Sequence, residues 1–165
     1  MPLKKEVITK YINPVFVETG SLRGQAIDLA LLVGFSKVIS VELSKKFYDF
    51  CYQKFLHDSR VKIFHGDVEL MLWDMIKDIY SPITFWLDAH DSGGDTAKGI
   101  HGDPIIQELD IIKKHSIKNH TILVDDLRGM LLKDIQNKLL EINPKYSFSF
   151  EDGFIPNDIL VARIL

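Results

Sequence analysis

The chain has 165 residues, 46% of them hydrophobic, with a formal net charge of −3 and one cysteine. That length fits one domain spanning 1–165 and leaves little room for a second. The absence of a basic surplus argues against a nucleic-acid backbone as partner, and the single cysteine, Cys51, excludes an internal disulfide and suits a reducing, cytoplasmic setting.

The start, Met1 to Lys10, mixes Lys4, Lys5 and Glu6 with apolar residues and reads as neither a signal peptide nor a membrane span. The first strand is predicted at Pro14–Glu18. The turn Thr19-Gly-Ser-Leu-Arg-Gly24 leads into an apolar helix that Gly34 stops. The second strand is Lys37–Glu42, and Ser44 is the expected N-cap of the next helix. That helix should bury Phe47, Phe50, Cys51 and Phe55 along one stripe. Cys51 reads there as a small buried hydrophobe and not as a reactive thiol.

A third strand, Val61–His65, precedes a helix opened by Asp67, with Val68, Leu72, Met75, Ile76 and Ile79 on its apolar face. The fourth strand, Ile83–Asp88, is almost wholly apolar until its last residue. A long Gly-rich, ionisable stretch from Asp88 to Asp103 follows, of a length that in a compact α/β domain points to function. Asp103-Pro104 reads as an N-cap with Pro at the first helical position, and Ile105, Ile106, Leu109 and Ile112 as that helix's buried stripe. Thr121–Asp125 is the fifth strand, and a helix runs from about Met130 to Ile142, ended by Asn143-Pro144. In the tail Tyr146, Phe148 and Phe150 alternate with serines, a turn-like segment follows, and Ile159–Ile164 is a last strand, so an antiparallel hairpin is expected. Repeated strand–helix alternation with apolar strands means a parallel sheet covered on both faces.

In open α/β sheets ligands lie beyond the carboxyl ends of the strands, where strand order reverses. Those ends read Glu18, Glu42, Asp67, Asp88 and Asp125-Asp126. Any one of these could be a helix cap or a solvated loop acid, Asp67 above all, but an acid at all five is harder to explain that way. Gly20 allows a sharp turn after the first strand, and Gly24 allows close packing of the helix start against the strand or a ligand. Glu42 has the spacing at which an acid grips ribose hydroxyls in dinucleotide folds. Together these point to an adenosine-type ligand, and a rim of carboxylates would repel a pyrophosphate unless a metal intervened. Gly20-Ser-Leu-Arg-Gly24 also lacks the Gly-x-Gly-x-x-Gly spacing of NAD sites.

With Glu18, Gly20 and Gly24 in register with an acid-x-Gly-x-Gly-x-Gly motif, and Leu22 replacing the middle glycine, the chain resembles class I S-adenosylmethionine-dependent methyltransferases over nearly its full length. The resemblance implies a three-layer α/β/α Rossmann-like fold, its seven-stranded sheet mostly parallel with a C-terminal antiparallel hairpin. It implies S-adenosyl-L-methionine as cofactor, held by Glu18, Thr19, Gly20, Ser21, Gly24, Glu42, Leu43, Gly66, Asp67, Val68 and Asp88. The Glu18–Gly24 turn would meet the methionine part, Glu42 the ribose, Asp67 and Val68 the adenine, and Asp88 the boundary with the acceptor. His90 is the first choice as general base, its ordinary pKa lying near neutrality, with Asp88 beside it; a structural loop histidine is the competing reading. His101 and Lys98 are weaker candidates.

Crowded carboxylates at Asp88, Asp91, Asp125 and Asp126 suit Mg²⁺ or Ca²⁺. The region also resembles metal-dependent O-methyltransferases of the catechol type, which implies Asp88, Asp125 and Asp126 as metal ligands. Where those proteins use an Asp-Asn pair this chain has Asp125-Asp126, and a site without metal stays open. The four remaining histidines form no zinc signature. The expected activity is methyl transfer to an oxygen of a small acceptor. Likeness of the Phe85–His90 region to saccharide-modifying methyltransferases suggests a sugar-like one. No membrane partner is expected, and a homodimer is one source of acceptor contacts. The alternatives are a non-catalytic module binding an adenosine-type ligand, or a nicotinamide-dependent oxidoreductase.

Overall fold

A computed structural model describes residues 3–88, 100, 104–125, 127 and 132–165. The chain opens with a short helix, α1 (Lys5–Ile8), and a 3-10 turn, Thr9–Tyr11. It continues through β1 (Val15–Thr19), α2 (Gln25–Val33), β2 (Lys37–Glu42), α3 (Lys45–Phe55), β3 (Val61–His65), α4 (Val68–Ile76) and β4 (Ile83–Leu87). Then come α5 (Ile105–Ile112), β5 (Thr121–Val124), α6 (Leu132–Ile142), β6 (Ser147–Glu151) and β7 (Ile159–Arg163).

The strands form one seven-stranded sheet in the order β3-β2-β1-β4-β5-β7-β6. The first five are parallel, while β7 enters antiparallel between β5 and β6. This is the expected architecture: β1 stands at the reversal of strand order, with β2 on one side and β4 on the other. Val15, Phe16 and Val17 show why the sheet is covered twice. Side chains alternate between faces, and Val15 and Val17 join a core with α4, α5 and α6, whereas Phe16 joins a core with α1, α2 and α3. Both faces therefore bury apolar area, worth about 25 cal/mol for each Å² removed from water.

The predicted stripe of α4 is correct in full: Val68, Leu72, Met75, Ile76 and Ile79 are all buried. In α3 the buried set is Phe47, Cys51 and Phe55, and Phe50 is 52% exposed. The reason is angular: an i, i+4, i+8 row suffices to face the sheet, and i+3 falls on its outer flank. Ser44 holds the N-cap position of α3 without a side-chain bond. Helix α5 begins one residue later than expected, with Pro104 as its N-cap, and Asp103 lies outside the described residues. A residue set that the sequence pattern missed is at the start, where Leu3, Val7, Ile8 and Tyr11 plug the core on the α2 face. Thr84 Oγ donates to the carbonyl of Tyr11, and Asn13 Nδ2 reaches Thr84 and Thr121 at 3.1 and 3.3 Å, tying this segment under β4 and β5.

Opposite the carboxyl edge, two buried histidines link four elements. The amide of Ile83 donates to His120 Nδ1 at 3.1 Å, so that ring carries its proton on Nε2, 3.1 Å from His115 Nδ1. His115 Nε2 in turn lies 3.1 Å from the carbonyl of Ile76. A fixed donor at one end and a fixed acceptor at the other set both tautomers. Burial, then the neighbouring His115, holds the His120 pKa down at about 3.

Candidate functional site

The turn after β1 is where the motif departs from three glycines, and the backbone there compensates. Gly20 has φ 99° and Leu22 φ 45°, so the leucine adopts a left-handed conformation that suits glycine at a cost of about 1–2 kcal/mol. Two anchors hold it. The amides of Gly20 and Ser21 donate to the Val41 carbonyl at 3.0 and 3.2 Å, and the amide of Leu22 donates to Glu42 Oε2 at 2.7 Å. Glu42 Oε1 also accepts from the amide of Ser44 at 2.8 Å, across the half-buried Leu43. One carboxylate thus fixes the loops after both β1 and β2, and its second lone pairs remain for a further donor.

Gly24 has φ 70°, and a Cβ there would lie 2.6 Å from the Phe55 ring and 3.3 Å from Cys51 Sγ. What meets this glycine on the side of its missing Cβ is therefore helix α3. Cys51 is fully buried, its thiol 3.4 Å from the carbonyl of Leu22 and its pKa pushed up to about 12 by burial.

Glu18 is the most unusual group at this edge. It is 2% exposed, and the Ser40 hydroxyl donates to its Oε2 at 2.7 Å. Since that proton is committed, Ser21 donates to Ser40 across 2.5 Å. Burial raises the Glu18 pKa from 4.5 to about 8, and the charged neighbours acting on it, Asp88, Glu42 and Asp28, are all acids that push the same way. A buried carboxyl whose charged neighbours are other carboxyls holds its proton near neutral pH.

Sheet register explains why these acids meet. Glu18 pairs with Ser40 and Trp86 on its two sides, and Thr19 with Val41 and Leu87. Phe16, Val38, Trp86 and Leu123 all join the core on the α2 face. Counting on by twos places Glu18, Glu42, Asp88 and Asp125 toward that same face at the carboxyl edge. The edge is stitched by backbone: the Asp88 amide donates to Thr19 Oγ1 at 3.2 Å, and the Asp125 amide to the Leu87 carbonyl at 3.1 Å.

Asp67 caps α4, with Oδ1 accepting from the Glu69 amide at 2.9 Å, and Oδ2 accepts from the amide of Ile100 at the same distance. It is thus a cap and also a tether for the end of the Asp88–Asp103 connection. Before it, Gly66 donates to the Glu42 carbonyl at 3.0 Å, while Val68 points into the core of α4. His90, Asp91, Lys98, His101 and Asp126 lie outside the described residues. Of the three expected metal ligands, Asp88 and Asp125 are described and directly follow the adjacent strands β4 and β5. Among the described residues no three His, Cys, Asp or Glu side chains gather closely enough to hold a metal ion.

Two acids were missed by sequence reasoning. Asp28 in α2 adds to the negative field on Glu18. Asp158, at the start of β7, is 3% exposed and lies at this same edge because β7 runs against β5. Nothing in the local sequence marks Asp158; only the strand order does.

No protein-family model matches the chain, and no curated protein matches it. Solved structures do. An O-methyltransferase from Bacillus cereus in complex with S-adenosylhomocysteine superposes with a TM-score of 0.66 at 17% identity, over 98% of this chain and 78% of that one. The O-methyltransferase TomG from Streptomyces achromogenes, involved in tomaymycin synthesis and solved with S-adenosylmethionine, gives 0.63 at 11% identity, over 97% and 77%. A spermidine synthase from Thermotoga maritima gives 0.58 at 10% identity, over 90% of this chain and 52% of that one. The chain thus has the class I methyltransferase fold, a fold that also carries other activities.

Proposed function

We propose that the chain is an S-adenosylmethionine-dependent methyltransferase acting on an oxygen of a small or sugar-like acceptor. The observation that carries this reading is the buried Glu18 carboxyl at the reversal of strand order, whose charged neighbours among the described residues are acids. Such a site is poised for a ligand that brings positive charge and no phosphate. The fold supports the same reading, since two of the similar structures hold S-adenosylhomocysteine or S-adenosylmethionine.

The residues present fit that cofactor. Glu18 would hold the ammonium, giving up its proton when the cation arrives. Glu42, already fixed by Leu22 and Ser44, offers its remaining lone pairs to the two ribose hydroxyls. Asp67, beside Gly66 and Val68, would accept from the adenine amino group in place of the Ile100 amide. Thr19, Gly20, Ser21 and Gly24 shape the loop around the methionine part, and Leu43 would flank the ribose. The cofactor supplies a methyl carbon on a sulfonium, open to in-line attack by an oxygen. Asp88, tied to Thr19 through its amide, stands where acceptor and cofactor meet. His90, two residues on, is the proposed base that takes the acceptor's hydroxyl proton as the new carbon–oxygen bond forms. Asp88, Asp125 and Asp126 are the ligands for a divalent cation, should the acceptor oxygen need one to ionise.

The test is turnover. Purified protein with methyl-labelled S-adenosylmethionine, with and without Mg²⁺, is assayed for S-adenosylhomocysteine against catechol, caffeate and a series of methyl glycosides. Acceptor-dependent product that falls at least about a hundredfold in His90→Ala and Asp88→Ala supports the assignment. Cofactor binding without turnover on any acceptor, at a rate no higher than Asp88→Ala, would favour a non-catalytic module.

A further inference from the structure

Strand β2 holds one residue that its setting does not call for. Val38, Ile39 and Val41 are buried and apolar, yet Ser40 among them is wholly buried too. A hydroxyl sealed in a sheet is costly unless it is bonded. Ser40 stands opposite Glu18 in the β1–β2 register, on the same face of the sheet. Its hydroxyl donates to Glu18 Oε2 at 2.7 Å and lies 2.5 Å from the hydroxyl of Ser21, which is buried as well.

The order Ser21 to Ser40 to Glu18 follows from the acceptors within reach. Ser21 Oγ has a second acceptor, the Val41 carbonyl, at 3.4 Å, but that oxygen already takes the amides of Gly20 and Ser21 at 3.0 and 3.2 Å. The shorter contact to Ser40 wins. With Ser21 donating to it, Ser40 turns its own hydrogen to the carboxyl, and hydroxyls bonded in line polarise one another. The neighbouring acids Asp88, Glu42 and Asp28 add a negative field at Glu18, but an ionised carboxylate donates no hydrogen bond. Direction therefore comes from the Ser40 hydroxyl. Ser40 engages Oε2, and a carboxylate has about four acceptor sites, so Oε1 can accept from a ligand. Two residues along β2, on the same face, Glu42 holds the Leu22 and Ser44 amides. Strand β2 thus fixes one acid of its neighbour and carries another of its own.

We propose that Ser40, set by Ser21, is a positioning residue for an amine subsite: it holds the Glu18 carboxyl in the orientation that receives a ligand's ammonium, and the site thereby prefers adenosine thioethers that carry a free amine over those that lack it. The proposal rests on the methyltransferase reading for the nucleoside part of the ligand. Ser40 acts through Glu18 and is not asked to touch the reacting atoms.

The experiment is isothermal titration calorimetry at pH 7 with S-adenosylhomocysteine and with desamino-S-adenosylhomocysteine, which lacks only the amine. The proteins are wild type, Ser40→Ala, Ser21→Ala, Glu18→Gln and the double variant of Ser40→Ala with Glu18→Gln. Wild type should bind S-adenosylhomocysteine at least about tenfold more tightly than the desamino compound. Ser40→Ala should weaken S-adenosylhomocysteine about 5- to 20-fold, as for loss of a hydrogen bond to a charged group. Ser21→Ala should weaken it about 2- to 5-fold, since only the polarising bond is removed. Affinity for the desamino compound should hold within about twofold in Ser40→Ala. In the Glu18→Gln background, Ser40→Ala should change S-adenosylhomocysteine affinity less than about twofold, because its effect runs through Glu18. Equal losses for both ligands, no loss in Ser40→Ala, or an undiminished Ser40→Ala effect once Glu18 is glutamine would overturn the proposal. Equal wild-type affinity for the two ligands would overturn it as well, while leaving the nucleoside site intact. Binding of neither ligand would count against the methyltransferase reading itself, and the subsite would fall with it.

Discussion

Replacing Glu18 by glutamine removes a charge while keeping the shape of the side chain and an acceptor for Ser40. The folded protein holds the Glu18 proton up to about pH 8, whereas an unfolded chain releases it near 4.5. The folded state therefore binds the proton more tightly, and stability from this group is full below pH 4.5 and is lost as pH rises toward 8. Moving a carboxyl from 4.5 to about 8, at 1.36 kcal/mol per pH unit, corresponds to about 5 kcal/mol, to be read as an order of magnitude. Urea unfolding of wild type and Glu18→Gln, from pH 4.5 to 9, isolates the effect, because every other titrating group cancels in the difference. The glutamine variant should match wild type near pH 4.5 and become progressively more stable, by several kcal/mol at pH 9. Parallel pH profiles would refute the idea that Glu18 is buried among acids without a compensating cation.

Three further outcomes follow from the geometry. Gly24→Ala places a methyl 2.6 Å from the Phe55 ring at φ 70°, and should cost about 2–4 kcal/mol, read as a lower Tm. The His120 ring, held at a pKa of about 3 against 6.5 when free, contributes stability that is complete above pH 6.5 and is lost as pH falls toward 3; the acid limb of the stability profile should be shallower in His120→Gln. Glu42→Gln leaves one of the Leu22 and Ser44 amides without its charged acceptor, and should cost about 1.5–3 kcal/mol in denaturant unfolding while weakening S-adenosylmethionine binding by at least about tenfold.

The strands were legible because a sheet buried on both faces demands uninterrupted apolar residues, as in Ile83–Leu87, and because acids follow each of them. Less legible was everything decided by distant contacts. Helix α1 has only four residues, too few to show a period, and owes its place to the core above it. The role of Gly24 depends on Phe55, thirty-one positions away on another helix. Leu22 looks like a broken motif in sequence, yet its φ of 45° preserves the turn that a glycine would make, and the bond its amide donates to Glu42 needs the β1–β2 register. Asp67 was read as an acid with two uses, cap or site, and the structure gives it the cap and a tether to Ile100 besides. Asp158 could be joined to the acids of β4 and β5 only once β7 was known to enter between β5 and β6.

The central claim is that acids at the carboxyl edge select a cationic nucleoside over a pyrophosphate. Isothermal titration calorimetry at pH 7, in two buffers of different ionisation enthalpy, tests it directly. S-adenosylmethionine should bind saturably at one site per chain with release of a proton from Glu18, and NAD should give no heat of binding. Saturable NAD binding, or S-adenosylmethionine binding equally well to wild type and to Glu18→Gln with no proton released, would contradict it.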